Sequence, residues 1–188
     1  MMLDEEIYDL YLKGNKDSLV VLEDNYRYKL TEYAFCFVNN TDIAKEIVDR
    51  AFYHISIFQY NELKKNFCAN MYQMTRRIAL KVAKENALHK EFTIELTNGD
   101  YDDSQSWIEN FNKIESNKML YQALNQIDPM AREVIFLAII QEISEKDIAI
   151  ILKKRKRTAS KILKKSKEKL RNLLAGTHFK DKNKKDTI

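Results

Sequence analysis

The sequence predicts an all-α protein, and three observations carry that expectation. Only three Gly and one Pro occur in 188 residues, so the punctuation that hairpins and tight turns need is nearly missing. Apolar residues recur at spacings of three and four through most of the chain. Asp128-Pro129 and Ser144-x-x-Asp147 stand where helix starts are expected.

Each element follows in order. Residues 4–13 and 17–39 carry Ile7, Leu10 and Tyr11, then Leu19, Leu22, Tyr26, Leu30, Tyr33, Ala34 and Phe37, and Gly14-Asn15 separates the two helices. Thr41 supplies a cap for a helix over 42–58, with Ile43, Ile47, Val48, Ala51, Phe52 and Ile55 on one stripe. A fourth helix fits 65–88, with Phe67, Met71, Met74, Ile78, Val82 and Leu88 inward. Residues 91–109 then hold six acidic residues, no basic ones and the Asn98-Gly99 turn signal. They read as a linker between two helical domains.

A helix near 114–126 opens the second domain. Asp128-Pro129 starts the next, which contains VIFLAII, and Ser144-x-x-Asp147 caps a short one bearing Ile148, Ala149, Ile151 and Leu152. A turn near 153–156 leads into a last helix over 157–171, and residues 177–188 are polar and expected to fray.

Composition narrows the function classes. With 45% apolar and 32% charged residues, the chain belongs with folded water-soluble proteins. Cys36 and Cys68 lie near no second Cys or His at a ligand spacing, so they read as buried thiols in a reducing compartment. The acidic start MMLDEEIYDL is unlike a signal peptide, and VIFLAII is too short to span a bilayer. A cytoplasmic protein with no membrane insertion is expected. No Gly-rich phosphate loop or metal-binding His spacing occurs, and His54, His89 and His178 are scattered. Neither an enzyme nor a cofactor nor a bound metal is expected.

The charge is polarised along the chain. A net charge of +4 conceals +10 on residues 153–171, which hold eleven Lys or Arg and one acid, and −8 on residues 1–152. Ala159, Ile162, Leu163, Leu170, Leu173 and Leu174 recur at helical spacing among those cations, so the last helix must pack as well as carry charge. A short amphipathic helix, a turn and a cationic helix make the outline of a helix-turn-helix. In that arrangement Arg155, Lys156, Arg157, Thr158, Ser160 and Lys161 reach base edges and nearby phosphates, while Lys164, Lys165 and Lys169 follow the backbone. A solvated basic helix or a membrane-surface helix would show the same charge.

From Leu124 to Leu174 the sequence resembles the C-terminal domain of sigma-70-family sigma factors. The features that carry the likeness are Leu124, Pro129, Arg132-Glu133-Val134, Asp147-Ile148-Ala149 and Thr158. The family's turn usually carries Gly, whereas Lys153-Lys154-Arg155 has none. The segment from Tyr26 through DIAKEIVDRAFYHI at 42–55 resembles the polymerase-binding helices of the small extracytoplasmic-function sigma factors.

The resemblance implies a promoter-reading initiation factor with region 2-like residues 1–88, an acidic linker 89–115, region 4-like residues 116–175 and a basic flexible tail 176–188. Glu46, Asp49 and Arg50 would dock on core RNA polymerase, although from spacing alone they are also an ordinary solvated helix face. Tyr72, Arg76, Arg77, Lys81 and Lys84 would meet single-stranded DNA at the −10 element, and the cationic helix would read the −35 element. In relatives the acidic linker lies in a polymerase channel, where Trp107 would anchor it; a plain solvated tether has the same composition. An inhibitory anti-sigma factor is a further implied partner. Two other readings stay open: a stand-alone helix-turn-helix regulator whose first domain dimerises or binds a ligand, and a helical adaptor with a basic tail.

Overall fold

In the computed structural model, residues 2–38, 40–85, 123 and 126–185 are described, with side chains described as far as 175. Among them the structure is all-helical: α1 (Asp4–Leu12), α2 (Asp17–Val38), α3 (Thr41–Phe58), a 3-10 turn (Asn61–Lys64), α4 (Phe67–Glu85), α5 (Pro129–Ile135), α6 (Glu145–Ile151) and α7 (Lys156–Lys185). The expected linker and most of the helix expected at 114–126 lie outside the described residues. The chain divides into two compact units, residues 1–91 with 143–159, and residues 92–142 with 160–188. Segment 143–159, expected within a domain over 116–175, therefore groups with the N-terminal helices.

In the first unit, α1 to α4 enclose an aromatic core. Tyr8, Leu22, Leu30, Tyr33, Ile55, Phe67, Met71 and Tyr72 are fully buried there. Phe67 lies 5.5 Å from the Tyr8 ring and 5.3 Å, edge-on, from Tyr26. Tyr33 meets Phe37 at 5.2 Å and Tyr72 at 5.3 Å. Edge-on and tilted pairs at such separations add to the burial term. Polar ties hold the periphery: Tyr11 donates to the Ser56 carbonyl at 3.1 Å, Glu5 accepts the Phe67 N–H at 2.9 Å, and Tyr26 donates to Asp4.

Helix ends explain where the elements start. Asn40, rather than Thr41, caps α3, its side chain accepting from the Ile43 amide at 2.9 Å with an extended backbone. Gln59 closes α3 in the left-handed region, φ 44°. Gly14 ends the first helix at φ 103° with nothing near a would-be Cβ, so glycine is needed there by the backbone alone. On α4 the buried stripe is Phe67, Met71, Tyr72, Thr75, Ala79 and Val82. Met74 and Ile78, expected inward, are only half-buried.

Helix α6 belongs to this unit. The Asn66 Nδ2 donates to Asp147 at 2.5 Å, and Gln73 Nε2 to the Ile150 carbonyl at 2.6 Å. Ser144 caps α6 as expected, accepting from the Asp147 amide at 3.2 Å.

In the second unit, Asp128 accepts from the Ala131 amide at 3.0 Å with Pro129 at the first helical position, as expected of α5. The apolar run continues into one π-helical turn, Phe136–Ile140, which the sequence did not foretell. Buried Arg132 donates to the Ile127 carbonyl at 2.9 Å. Helix α7 runs on to Lys185, so the expected flexible tail from 176 is largely helical. Gly176 is the residue there least suited to a helix interior.

Two stability outcomes follow. The Tyr8 hydroxyl is buried with no partner among the described residues, whereas that of Tyr26 is bonded to Asp4. Tyr8→Phe should leave the urea unfolding free energy unchanged or slightly higher, while Tyr26→Phe should lower it by about 2 kcal/mol. Asp9, bonded to Lys13 and Lys64 at 2.6 Å each, is held down to about 2 by those hydrogen bonds. A depressed carboxyl stabilises the fold above its ordinary value and loses that contribution as pH falls from about 4 towards 2. Asp9→Asn should therefore flatten this part of an acid-unfolding curve, as should added salt.

Candidate nucleic-acid interface and docking face

The cations on either side of the turn are presented to solvent by the local fold. After α6 the chain reverses through Lys153, φ 51°, and the Lys154 amide bonds back to the Ala149 carbonyl at 2.9 Å. This is the six-to-one closure usually built with Gly. The Arg155 carbonyl then accepts from the Thr158 and Ala159 amides at 2.8 and 3.1 Å, opening α7.

Arg155, Lys156, Arg157, Thr158, Lys161, Lys164 and Lys165 are exposed, and Ser160 is half-buried. The opposite stripe of α7 is Ala159, Leu163, Ser166 and Leu170, all buried. Ser166, absent from the expected apolar set, fits because its hydroxyl donates to the Ile162 carbonyl at 2.7 Å. Ile162, Leu173 and Leu174 are only half-buried. The α7 surface therefore segregates cleanly, cations outward and small or apolar groups inward.

On α4 the expected residues part company. Arg77, Lys81 and Lys84 form one exposed row at i, i+4 and i+7, with Lys81 3.7 Å from Glu85. Arg76 is half-buried. Tyr72 is fully buried against Tyr33, and burial first of all pushes its hydroxyl well above the ordinary tyrosine range. It offers no ring face to a base and is a core residue here; the inward stripe of α4 takes in Tyr72 beside Met71 and leaves Met74 only half-buried. Arg77 instead lines a cleft of about 330 Å³ with Tyr60, Glu62, Asn70, Met74 and Lys153.

On α3, Glu46 accepts from Arg50 at 2.5 Å, and both are exposed. Asp49 accepts from Arg27 of α2 at 2.6 Å, so it also ties two helices together. The same face continues through Tyr53 and Ile57, 64% and 51% exposed, to Phe58, 58% exposed. The Phe58 ring lies 5.7 Å from that of His54 and 5.8 Å from that of Tyr60. Sequence reasoning missed this aromatic end. Its signal was present, since Tyr53, Ile57 and Phe58 are large apolar residues lying off the inward stripe.

Among the described residues no group of His, Cys, Asp and Glu is arranged to hold a metal ion, and no helix is long and apolar enough to cross a membrane. Cys68 is half-buried, and its thiol is pushed up to about 11, chiefly by burial.

The turn yields a backbone test. Because Lys153 adopts a left-handed conformation that costs a side-chain-bearing residue about 1 kcal/mol, Lys153→Gly should raise stability by about that amount in thermal unfolding. Compared with models of known families and with curated proteins, the chain matches none.

Proposed function

We propose that this chain is a sigma factor of the extracytoplasmic-function type, which binds core RNA polymerase and directs promoter-specific initiation. The observation that carries the reading is the capped helix α6, a tight turn and the exposed cationic start of α7. These occur within the sequence whose Leu124, Pro129, Arg132-Glu133-Val134, Asp147-Ile148-Ala149 and Thr158 resemble the promoter-reading domain of that family.

In this reading α6 and α7 form a helix-turn-helix. Arg155 and Arg157 are suited to bidentate contact with guanine, and Lys164 and Lys165 to sequence-independent phosphate contact. The row Arg77, Lys81 and Lys84 supplies cationic contacts for the second, start-proximal element, with the exposed ring of Phe58 and the half-buried ring of Tyr60 as stacking faces in place of Tyr72. The face of α3 docks the polymerase: Glu46 and Arg50 give charge complementarity, and Tyr53 and Ile57 give apolar area. The protein performs no chemistry of its own. Two weak DNA contacts become strong when one polymerase holds both.

The test is binding of the purified chain to bacterial core RNA polymerase. Glu46→Lys reverses a charge and breaks the Arg50 pair, and should weaken binding about tenfold, roughly 1.4 kcal/mol. Absence of binding by the unmodified chain at micromolar concentration would overturn the reading in favour of a stand-alone DNA-binding regulator.

A further inference from the structure

The first turn of α6 sits among carboxylates. Its Asp147 accepts from Asn66 at 2.5 Å and from the hydroxyl of its own cap, Ser144, at 2.6 Å. Asn66 is in turn the cap of α4, its Oδ1 accepting from the Ala69 amide at 2.8 Å. The neighbouring Phe67 amide is taken by Glu5 of α1 at 2.9 Å. Asp4 is close by as well: it bonds Tyr26, and both Asp4 and Asp147 act electrostatically on Cys68. At the far end of this seven-residue helix, Gln73 of α4 grips the Ile150 carbonyl at 2.6 Å. Ile148 and Ile151 are both buried.

This placement opposes DNA. When a helix-turn-helix seats on a duplex, its first helix crosses the phosphate backbone while the second enters the major groove. A phosphate approaching the start of α6 would meet Glu5, Asp4 and Asp147, which repel it, and α4 covers one side of the helix.

We propose that α6 docked on α4 is an autoinhibitory latch: Asn66 and Gln73 hold the first helix of the pair beside the carboxylates of α1, and duplex binding requires its release. The inference rests on reading α6 and α7 as a helix-turn-helix. A closed form favoured tenfold would weaken apparent DNA affinity by about the same factor.

The latch can be reversed in direction without being removed. Asn66→Asp keeps an acceptor for the Ala69 amide but sets a second carboxylate against Asp147. Adding Asp147→Asn restores one donor and one acceptor at the contact and returns the wild-type net charge. Two quantities are measured on the full chain: hydrogen exchange of the amides of Ile148–Leu152, and affinity for a short fluorescent DNA duplex at fixed salt.

Asn66→Asp should speed exchange about tenfold or more and tighten duplex binding several-fold, and the double variant should return both towards wild type. The added negative charge would by itself weaken DNA binding, so a gain cannot come from charge. Unchanged exchange would show that this contact does not hold α6. Faster exchange with equal or weaker DNA binding would show a merely structural contact. Either result overturns the latch. Because the duplex is tested without polymerase, the outcome is separate from whether the α3 face binds the polymerase core.

Discussion

The ring of Phe67, fully buried at the first position of α4, is where the helices of the first unit meet. It packs on Tyr8 from α1 and Tyr26 from α2, and its amide is capped by Glu5. The residue before it holds both the start of α4 and the start of α6 through one amide side chain. A large aromatic so enclosed contributes several kcal/mol of burial and tolerates little change in shape. The directions of α1, α2 and α4, and therefore of the surfaces they expose, are tied to this one packing site.

Charge is organised around that core by distance along the chain and by face. The first turn of α1 is acidic, with Asp4, Glu5 and Glu6, and its carboxylates are spent on structure, at Tyr26, the Phe67 amide and the Leu3 amide. The second half of α4 and the outer face of α7 are cationic and largely exposed. Among the described residues, positive charge is thereby concentrated on selected faces rather than spread evenly. On α3 a different mixture appears, an ion pair followed by exposed aromatic and aliphatic side chains.

Much of this was legible in the sequence because it depends on near neighbours. Asp128-Pro129 and Ser144-x-x-Asp147 cap α5 and α6 where expected, since a cap needs only residues within one turn. Exposure of Arg155, Lys156, Arg157 and Lys161 followed from their place opposite an apolar stripe. Tyr72 went the other way. Its aromatic ring and neighbouring cations suited a base-stacking role equally well, and its burial was decided by Tyr33, thirty-nine positions earlier in the chain. The aromatic end of α3 was missed for a related reason: whether apolar residues off a stripe are exposed depends on how the other helices pack, and among the described residues Tyr53, Ile57 and Phe58 are left exposed.

By itself, then, the sequence determined the helical class, the positions of most helices, the caps of α5 and α6 and the concentration of positive charge in the last helix, all of which arise from periodicity and short-range hydrogen bonding. Tertiary structure alone decided that Lys153 would take the left-handed turn without glycine, that the helix start at Asn66 would clasp Asp147 eighty-one residues away, and that α6 would group with the N-terminal helices. Those outcomes depend on which faces meet across long stretches of chain. Local propensity carries no information about such meetings; the fit of buried side chains and the need to pair buried polar groups settle them.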